Sequence, residues 1–240
     1  MCGRSSLTKK EKEIEARFNA TFYSDELDRY NPLPNYNMAP SHRCPVITNQ
    51  DRAHLQIYRW GLVPHWAKDE KIGYKMINAR KETLLEKSAF KTAASKRRCI
   101  IPLDGYYEWK RDGKEKIPYR IITTDNDLFS VAGLWERWVD DKGVDLYTFT
   151  IITQEPNELM ESIHDRMPAI LTEEQEILWL SDDLSPKELV DMIEPYPADL
   201  MKAYRVSSEV GNVKNNHKNL IDPIEEVLKN DKGGKQGTLF

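Results

Sequence analysis

Between residues 99 and 153, short apolar runs alternate with turn-forming residues, and this stretch limits the fold more than any other. The runs at 99–103, 105–109, 118–123, 128–135 and 145–153 have the length and composition of strands. Asp112-Gly113 forms a hairpin turn, because Gly adopts the positive φ that two-residue turns require. Asp125-Asn126 and residues 141–143 mark two further reversals. Strands joined by such short turns pair antiparallel.

The flanks add to this pattern. Residues 45–48 and 54–60 read as strands around a turn at 49–52, and 201–206 as a last strand. Residues 8–20 predict an amphipathic helix with Thr8 as its cap, Glu11 three positions on, and Ile14 and Phe18 four apart. The prolines of NPLPNYNMAP (31–40) predict a loop. In WGLVPHW (60–66) the central Gly and Pro argue against helix. Residues 77–80 lead into a helix over 82–90, with a second short one to 94. A short helix over 157–163 and a strand at 169–171 follow. Thr172 and Gln175 then form a capping box for a helix over 173–180, and Ser185-Pro186 starts another to about 193. No internal repeat is visible. Strands outnumber helices, so the expectation is an α+β fold with a mostly antiparallel sheet. One domain spans 2–228, and the polar composition of 229–240 reads as a flexible tail.

Of the 240 residues, 40% are hydrophobic, enough for a sizeable core. No run approaches the roughly 20 apolar residues of a membrane span. Nor does the N-terminus read as a signal peptide, so the expected location is cytoplasmic. The three cysteines Cys2, Cys44 and Cys99 form no CxxC, and the five histidines are scattered, which argues against a disulfide framework and a metal site. A net charge of −4 excludes gripping of duplex DNA by bulk charge. It leaves room for a local basic groove, for which KTAASKRR (91–98), Arg80-Lys81 and Lys110-Arg111 are candidates. Nothing in the sequence calls for a cofactor or an obligate dimer, and a monomer is expected.

Cys2 stands directly behind the initiator Met. Its small side chain favours removal of Met1, which exposes an α-amine and a thiol on adjacent carbons. With pKa values of about 7.7–8.0 and about 8.5, either is activated at neutral pH by a modest shift. Such a residue condenses with an aldehyde to a Schiff base and then closes a thiazolidine ring. Three other polar residues sit where plain packing would not put them. Asn78 interrupts Ile77-Asn78-Ala79-Arg80, Glu108 lies in Tyr106-Tyr107-Glu108-Trp109, and His164 precedes Asp165-Arg166-Met167-Pro168. A carboxyl held between Tyr and Trp would have a raised pKa suited to proton transfer. Each also has an ordinary reading: a small terminal residue, a turn residue, a solvent-facing strand position, a helix cap.

The ordered motifs MCGR, YNMAP (36–40), WGLVPHW (60–66), INARKET (77–83), RRCIIPLDGYYEWK (97–110) and IHDRMP (163–168) decide between these readings. Over roughly residues 2–210 the chain resembles the SOS response-associated peptidase (SRAP) family, which has YedK-type bacterial members and a vertebrate sensor of abasic sites. The resemblance implies a single α+β domain, barrel-like at its core with peripheral helices, carrying a basic groove for single-stranded DNA. It further implies that mature Cys2 links covalently, as a thiazolidine, to the opened sugar of an abasic site. Carried over by position, Cys2 is the nucleophile, Asn78 orients it, Glu108 transfers protons and His164 assists ring opening and crosslink reversal. Arg4, Arg80 and Arg166 would hold phosphates, with Asn37 beside them, and Trp66 and Trp109 would support the unstacked strand. Ser5 departs from the family pattern, where an aromatic is common. No metal or cofactor is implied.

Within that resemblance the terminal QGTLF matters. Gln236, Leu239 and Phe240 match the QxxLF pentapeptide that docks bacterial replication proteins on the sliding clamp. Three other functions remain open on the residues alone: an N-terminal-nucleophile amidohydrolase, which also begins Met-Cys-Gly; a thiol peptidase using Cys2, His164 and Asn78; and a single-stranded DNA or clamp binder with an inert Cys2.

Overall fold

The computed structural model describes residues 2–23, 33–125 and 127–224. Its strands, in chain order, are β1 (Ser5–Leu7), β2 (Thr21–Phe22), β3 (Asn35–Met38), β4 (Arg43–Thr48), β5 (His54–Trp60), β6 (Asn78–Arg80) and β7 (Arg98–Leu103). They continue with β8 (Gly105–Asp112), β9 (Glu115–Thr123), β10 (Phe129–Val139), β11 (Asp145–Gln154), β12 (Met167–Pro168), β13 (Ile170–Leu171) and β14 (Met201–Arg205). The helices are α1 (Glu11–Phe18), α2 (Ser88–Lys96), α3 (Glu158–Glu161), α4 (Glu173–Trp179) and α5 (Pro186–Asp191). Among the described residues, no helix is long and apolar enough to cross a membrane.

Strands β11, β10, β7, β4 and β5 pair antiparallel in that order. A parallel pairing of β5 with β11, Trp60 opposite Phe149, closes them into a small barrel. Closure removes the open edges of the sheet. The alternating runs fill the inside, where Trp60 stacks near Phe149 and is fully buried. Helix α4 packs on this barrel, and the Trp179 indole donates to the Cys99 carbonyl at 3.0 Å. A second sheet runs β14-β9-β8-β1-β3. The chain passes from the barrel to this sheet at Asp104, between β7 and β8. The fold is thus α+β with a mostly antiparallel, barrel-like core, as expected. All three cysteines are free and buried.

Several local expectations are corrected. Residues 31–40 are not all loop: Pro34 and Pro40 flank β3, which finds its partner far upstream with Ser5 opposite Met38. Helix α1 is shorter than 8–20, and Thr8 does not cap it, because its N–H and hydroxyl both turn to Asp104. The helix expected over 82–90 is a 3-10 turn at Lys81–Thr83, and the α-helix starts only at Ser88. Strand β6 was not expected, since three residues carry no readable period. The capping boxes at Thr172 and Ser185 form as read. Ser5 is buried in β1. The proposed tail 229–240, with Gln236, Leu239 and Phe240, lies outside the described residues, as does Met1.

Candidate active site

The pairing of β1 with β8 sets the site. Ser5 lies opposite Tyr106 and Ser6 opposite Gly105, and the Tyr107 N–H donates to the Arg4 carbonyl at 2.9 Å. This ladder brings the start of the chain toward Glu108. Cys2 is fully buried, and burial pushes its thiol pKa up, with the nearby Glu108 charge adding to the rise. Asn78 opens β6, parallel to β11 with Asn78 opposite Ile151. From there its amide Nδ2 donates to the Cys2 carbonyl at 2.9 Å. His164 follows α3, and its N–H donates to the Met160 carbonyl at 2.8 Å. This holds the imidazole with Nε2 3.8 Å from Glu108 Oε2. The structure therefore gathers Cys2, Asn78, Glu108 and His164 from four separate parts of the chain.

Glu108 is 2% exposed, and burial raises its pKa to about 7. It is poised to give or take a proton near neutral pH. His164 is lowered from its ordinary value, first by burial, so its ring is neutral at pH 7. The Nδ1 of His164 has two competing neighbours: the Arg166 N–H at 3.1 Å and an Asp165 carboxylate oxygen at 2.9 Å. They demand opposite protonation states. The neutral ring favours the Arg166 N–H, because the largely exposed Asp165 is screened by water. Nδ1 is then the acceptor, and the ring proton sits on Nε2, facing Glu108.

Glu108 and His164 line a groove of about 1480 Å³. Trp109, Lys110, Arg111 and Lys116 of the β8–β9 hairpin line it too, as do Arg80, Arg166 and Gly211. Segment 155–166 contributes acids, namely Glu155, Glu161 and Asp165. The positive charge is thus concentrated on the hairpin and Arg80 rather than spread over the groove. The basic cluster at 91–98 does not line it. Arg97 pairs with Glu136, and Arg98 is buried. Lys116 was missed in the sequence; its only signal was a place on the strand paired with Lys110-Arg111.

The other candidate binders have varied surroundings. Arg80 is exposed, pairs through β6 with Thr153 of β11, and its charge helps hold the Glu82 carboxyl below its ordinary pKa, after the contacts from Arg166. Arg166 is held by both carboxylate oxygens of Glu82, each at 2.9 Å, and by the Thr153 carbonyl. Arg4 donates to Asn37 Oδ1 and to the carbonyls of Val210 and Gly211. Asn37 donates to the carbonyls of Asn212 and Asn215. Arg4 and Asn37 thus fasten segment 208–215 across β1 and β3, at the end of the groove marked by Gly211. Trp66 does not line the groove; it is 52% exposed on the loop after β5. Among the described residues, no cluster of His, Cys, Asp and Glu could hold a metal ion.

The family model of the SOS response associated peptidase (SRAP) matches residues 1–213. The chain belongs to the SRAP family. The abasic site processing protein YoqW of Bacillus subtilis is 51% identical over 225 residues, covering 92% of this chain and 99% of its own. The abasic site processing protein HMCES of Xenopus tropicalis is 30% identical over 279 residues, covering 97% of this chain and 81% of its own. A crystal structure of a Bacteroides thetaiotaomicron protein superposes with a TM-score of 0.81 at 35% identity, covering 87% of this SRAP chain and 93% of its own.

Proposed function

We propose that this SRAP protein processes abasic sites in single-stranded DNA by forming a thiazolidine crosslink through Cys2 once Met1 is removed. The observation that carries the reading is the meeting of Cys2 with a neutral-range acid, Glu108, and a neutral imidazole, His164, beside an open groove. The relatives' names, abasic site processing proteins, support it. An abasic sugar equilibrates between a closed hemiacetal and an open aldehyde, and His164 speeds the opening. The Cys2 amine attacks C1′ to give a carbinolamine. Protonated Glu108 gives its proton to the departing hydroxyl, which leaves as water, and an iminium remains. The thiol then adds to the same carbon and passes its proton to the Glu108 carboxylate, restoring the starting acid. The thiol pKa is raised by burial, so this proton acceptor is needed. Amine and thiol belong to one residue, so ring closure gains from proximity and outruns β-elimination of the 3′ phosphate, a lyase branch. A lesion without a base costs little to unstack. Trp109 offers a stacking face, and Arg80, Lys110, Arg111 and Lys116 follow the phosphates.

The reading implies a role in the DNA damage response, at the nucleoid in the cytoplasm, with the protein acting as a monomer. The only hydrolysis it requires is removal of Met1, with no general peptidase activity. The decisive experiment mixes Met1-processed protein with single-stranded oligonucleotide carrying one abasic site. The expected product is a heat-stable gel shift whose mass is protein plus DNA less one water, absent for Cys2→Ala. If the processed protein gives no Cys2-dependent adduct, the reading is wrong.

The QGTLF terminus is read as a tether to the replication sliding clamp, which would raise the local concentration of the protein on replicating strands. Deleting residues 236–240 should abolish clamp binding in a surface-immobilised assay without slowing crosslinking. Unchanged binding would remove the tether from the proposal.

A further inference from the structure

We infer that Asp104 is a positioning residue for the Cys2 nucleophile, locking the register of β1 against β8. The inference rests on the crosslinking function proposed above for its chemical consequence, though the lock itself is a matter of geometry.

Asp104 is 2% exposed and sits immediately before β8, where the chain leaves the barrel. Its Oδ1 accepts the Ser6 hydroxyl at 2.6 Å and Arg120 Nη2 at 3.1 Å. Its Oδ2 accepts the Thr8 hydroxyl at 2.6 Å and also the Thr8 N–H. Its own N–H donates to the Ser6 carbonyl at 3.1 Å. Ser6 and Thr8 are two apart and share one face of the extended chain. A single carboxylate therefore reads two alternate positions of the segment that carries Cys2. Arg120, on β9, also donates to the Tyr204 hydroxyl of β14 at 2.8 Å, so the lock reaches across the second sheet. A Cβ at Gly105 would lie 2.8 Å from Arg120 Nε, so the guanidinium occupies the space a side chain would need.

The lock answers a specific weakness. Strand β1 is only three residues long, and its pairing with β3 shifts register between Ser5 and Leu7. So few ladder bonds specify a register poorly. A slip of one residue would move Cys2 by about 3.4 Å and turn each side chain to the other face. Misplacement of a reacting group by about 1 Å costs on the order of 100-fold in rate. A buried ion pair is a poor device for stability alone, whereas fixing register is its best-attested use.

The test compares Met1-processed wild type with Asp104→Asn and the milder Ser6→Ala, each checked by thermal unfolding. Single-turnover crosslinking to abasic single-stranded DNA is measured against DNA concentration. In parallel, iodoacetamide alkylation of Cys2 is followed by peptide mass mapping, which separates it from Cys44 and Cys99. In folded Asp104→Asn the rate at saturating DNA should fall at least about 10-fold, with the half-saturating concentration nearly unchanged. Cys2 alkylation should accelerate by a similar factor. Ser6→Ala should move both readouts in the same directions by about 3-fold, and it decides the matter if Asp104→Asn does not fold. A wild-type saturating rate with unchanged alkylation would overturn the lock. So would a loss explained wholly by weaker DNA binding. If wild type itself forms no adduct, the crosslinking function fails, and the alkylation comparison still decides the role of Asp104.

Discussion

Glu108→Gln is expected to slow thiazolidine formation by about 100-fold to 10,000-fold, the range that general acid–base catalysis contributes. The amide keeps the shape and volume of the carboxyl. It cannot deliver a proton to the carbinolamine or take one from the thiol. Rates should be read by quenched-flow sampling on denaturing gels from pH 5 to 9. In wild type the protonated acid is lost as pH rises through about 7, the value to which burial raises Glu108. The amine becomes more nucleophilic over the same range, so the profile should be bell-shaped. The variant should lose the limb that falls near pH 7. A variant with the wild-type rate would remove Glu108 from the mechanism.

The same substitution should stabilise the fold. Because the pKa of Glu108 is raised, the native state holds a proton that the unfolded chain releases between about 4.5 and about 7. This contribution to stability is full below the lower value and declines as pH rises through the window. At pH 8 the ionised carboxylate carries a burial cost on the order of 1–3 kcal/mol, which Glu108→Gln removes. A gain in stability with a loss of rate is the usual mark of a functional buried acid. Denaturant titrations at pH 5 and pH 8 would show a markedly larger gain at the higher pH.

The largest loss of stability is expected at Arg98, through Arg98→Met. Its side chain is 2% exposed and is surrounded by acceptors. Nε donates to the Trp179 carbonyl at 2.8 Å, and Nη1 to the carbonyls of Ala94 and Ser95 at 3.3 and 2.7 Å. Nη2 donates to the Ser181 carbonyl and to Asp182 Oδ1, both at 2.7 Å. These carbonyls lie at the C-terminal ends of α2 and α4, which have no further turn to satisfy them. Methionine fills much of the volume and leaves them unpaired. The expected cost is about 3–5 kcal/mol, or a melting temperature lower by roughly 6–20 °C. Lys96→Met, on the exposed side of α2, should change stability by less than about 0.5 kcal/mol. Equal effects from the two would show that Arg98 is not a structural hub.

Arg98 also shows what could not be read in the chain. In KTAASKRR, Arg97 and Arg98 look alike and look like groove residues. What separates them is that Arg98 begins a barrel strand with its guanidinium buried between the adjacent end of α2 and the end of α4, more than 80 positions downstream. Arg4 and Asn37 behave similarly. Both are bound to segment 208–215, more than 170 positions downstream. Cys2, Asn78, Glu108 and His164 were legible only because their flanking motifs are distinctive. None of the four signals its partners by spacing.

The sequence by itself determined the two hairpins β8–β9 and β10–β11, the capping boxes of α4 and α5, and the thiol side chain at position 2. Each depends on residues within a few positions of one another, where turn geometry, capping and side-chain chemistry act locally. Only the tertiary structure decided the parallel closure of β5 on β11, the short strands β1, β3 and β6, and the register at Asp104 that brings Cys2 to Glu108. Strands of three or four residues carry too little periodicity to announce themselves. Their partners are chosen by burial and hydrogen bonding between distant segments, which come together only when the two sheets have formed.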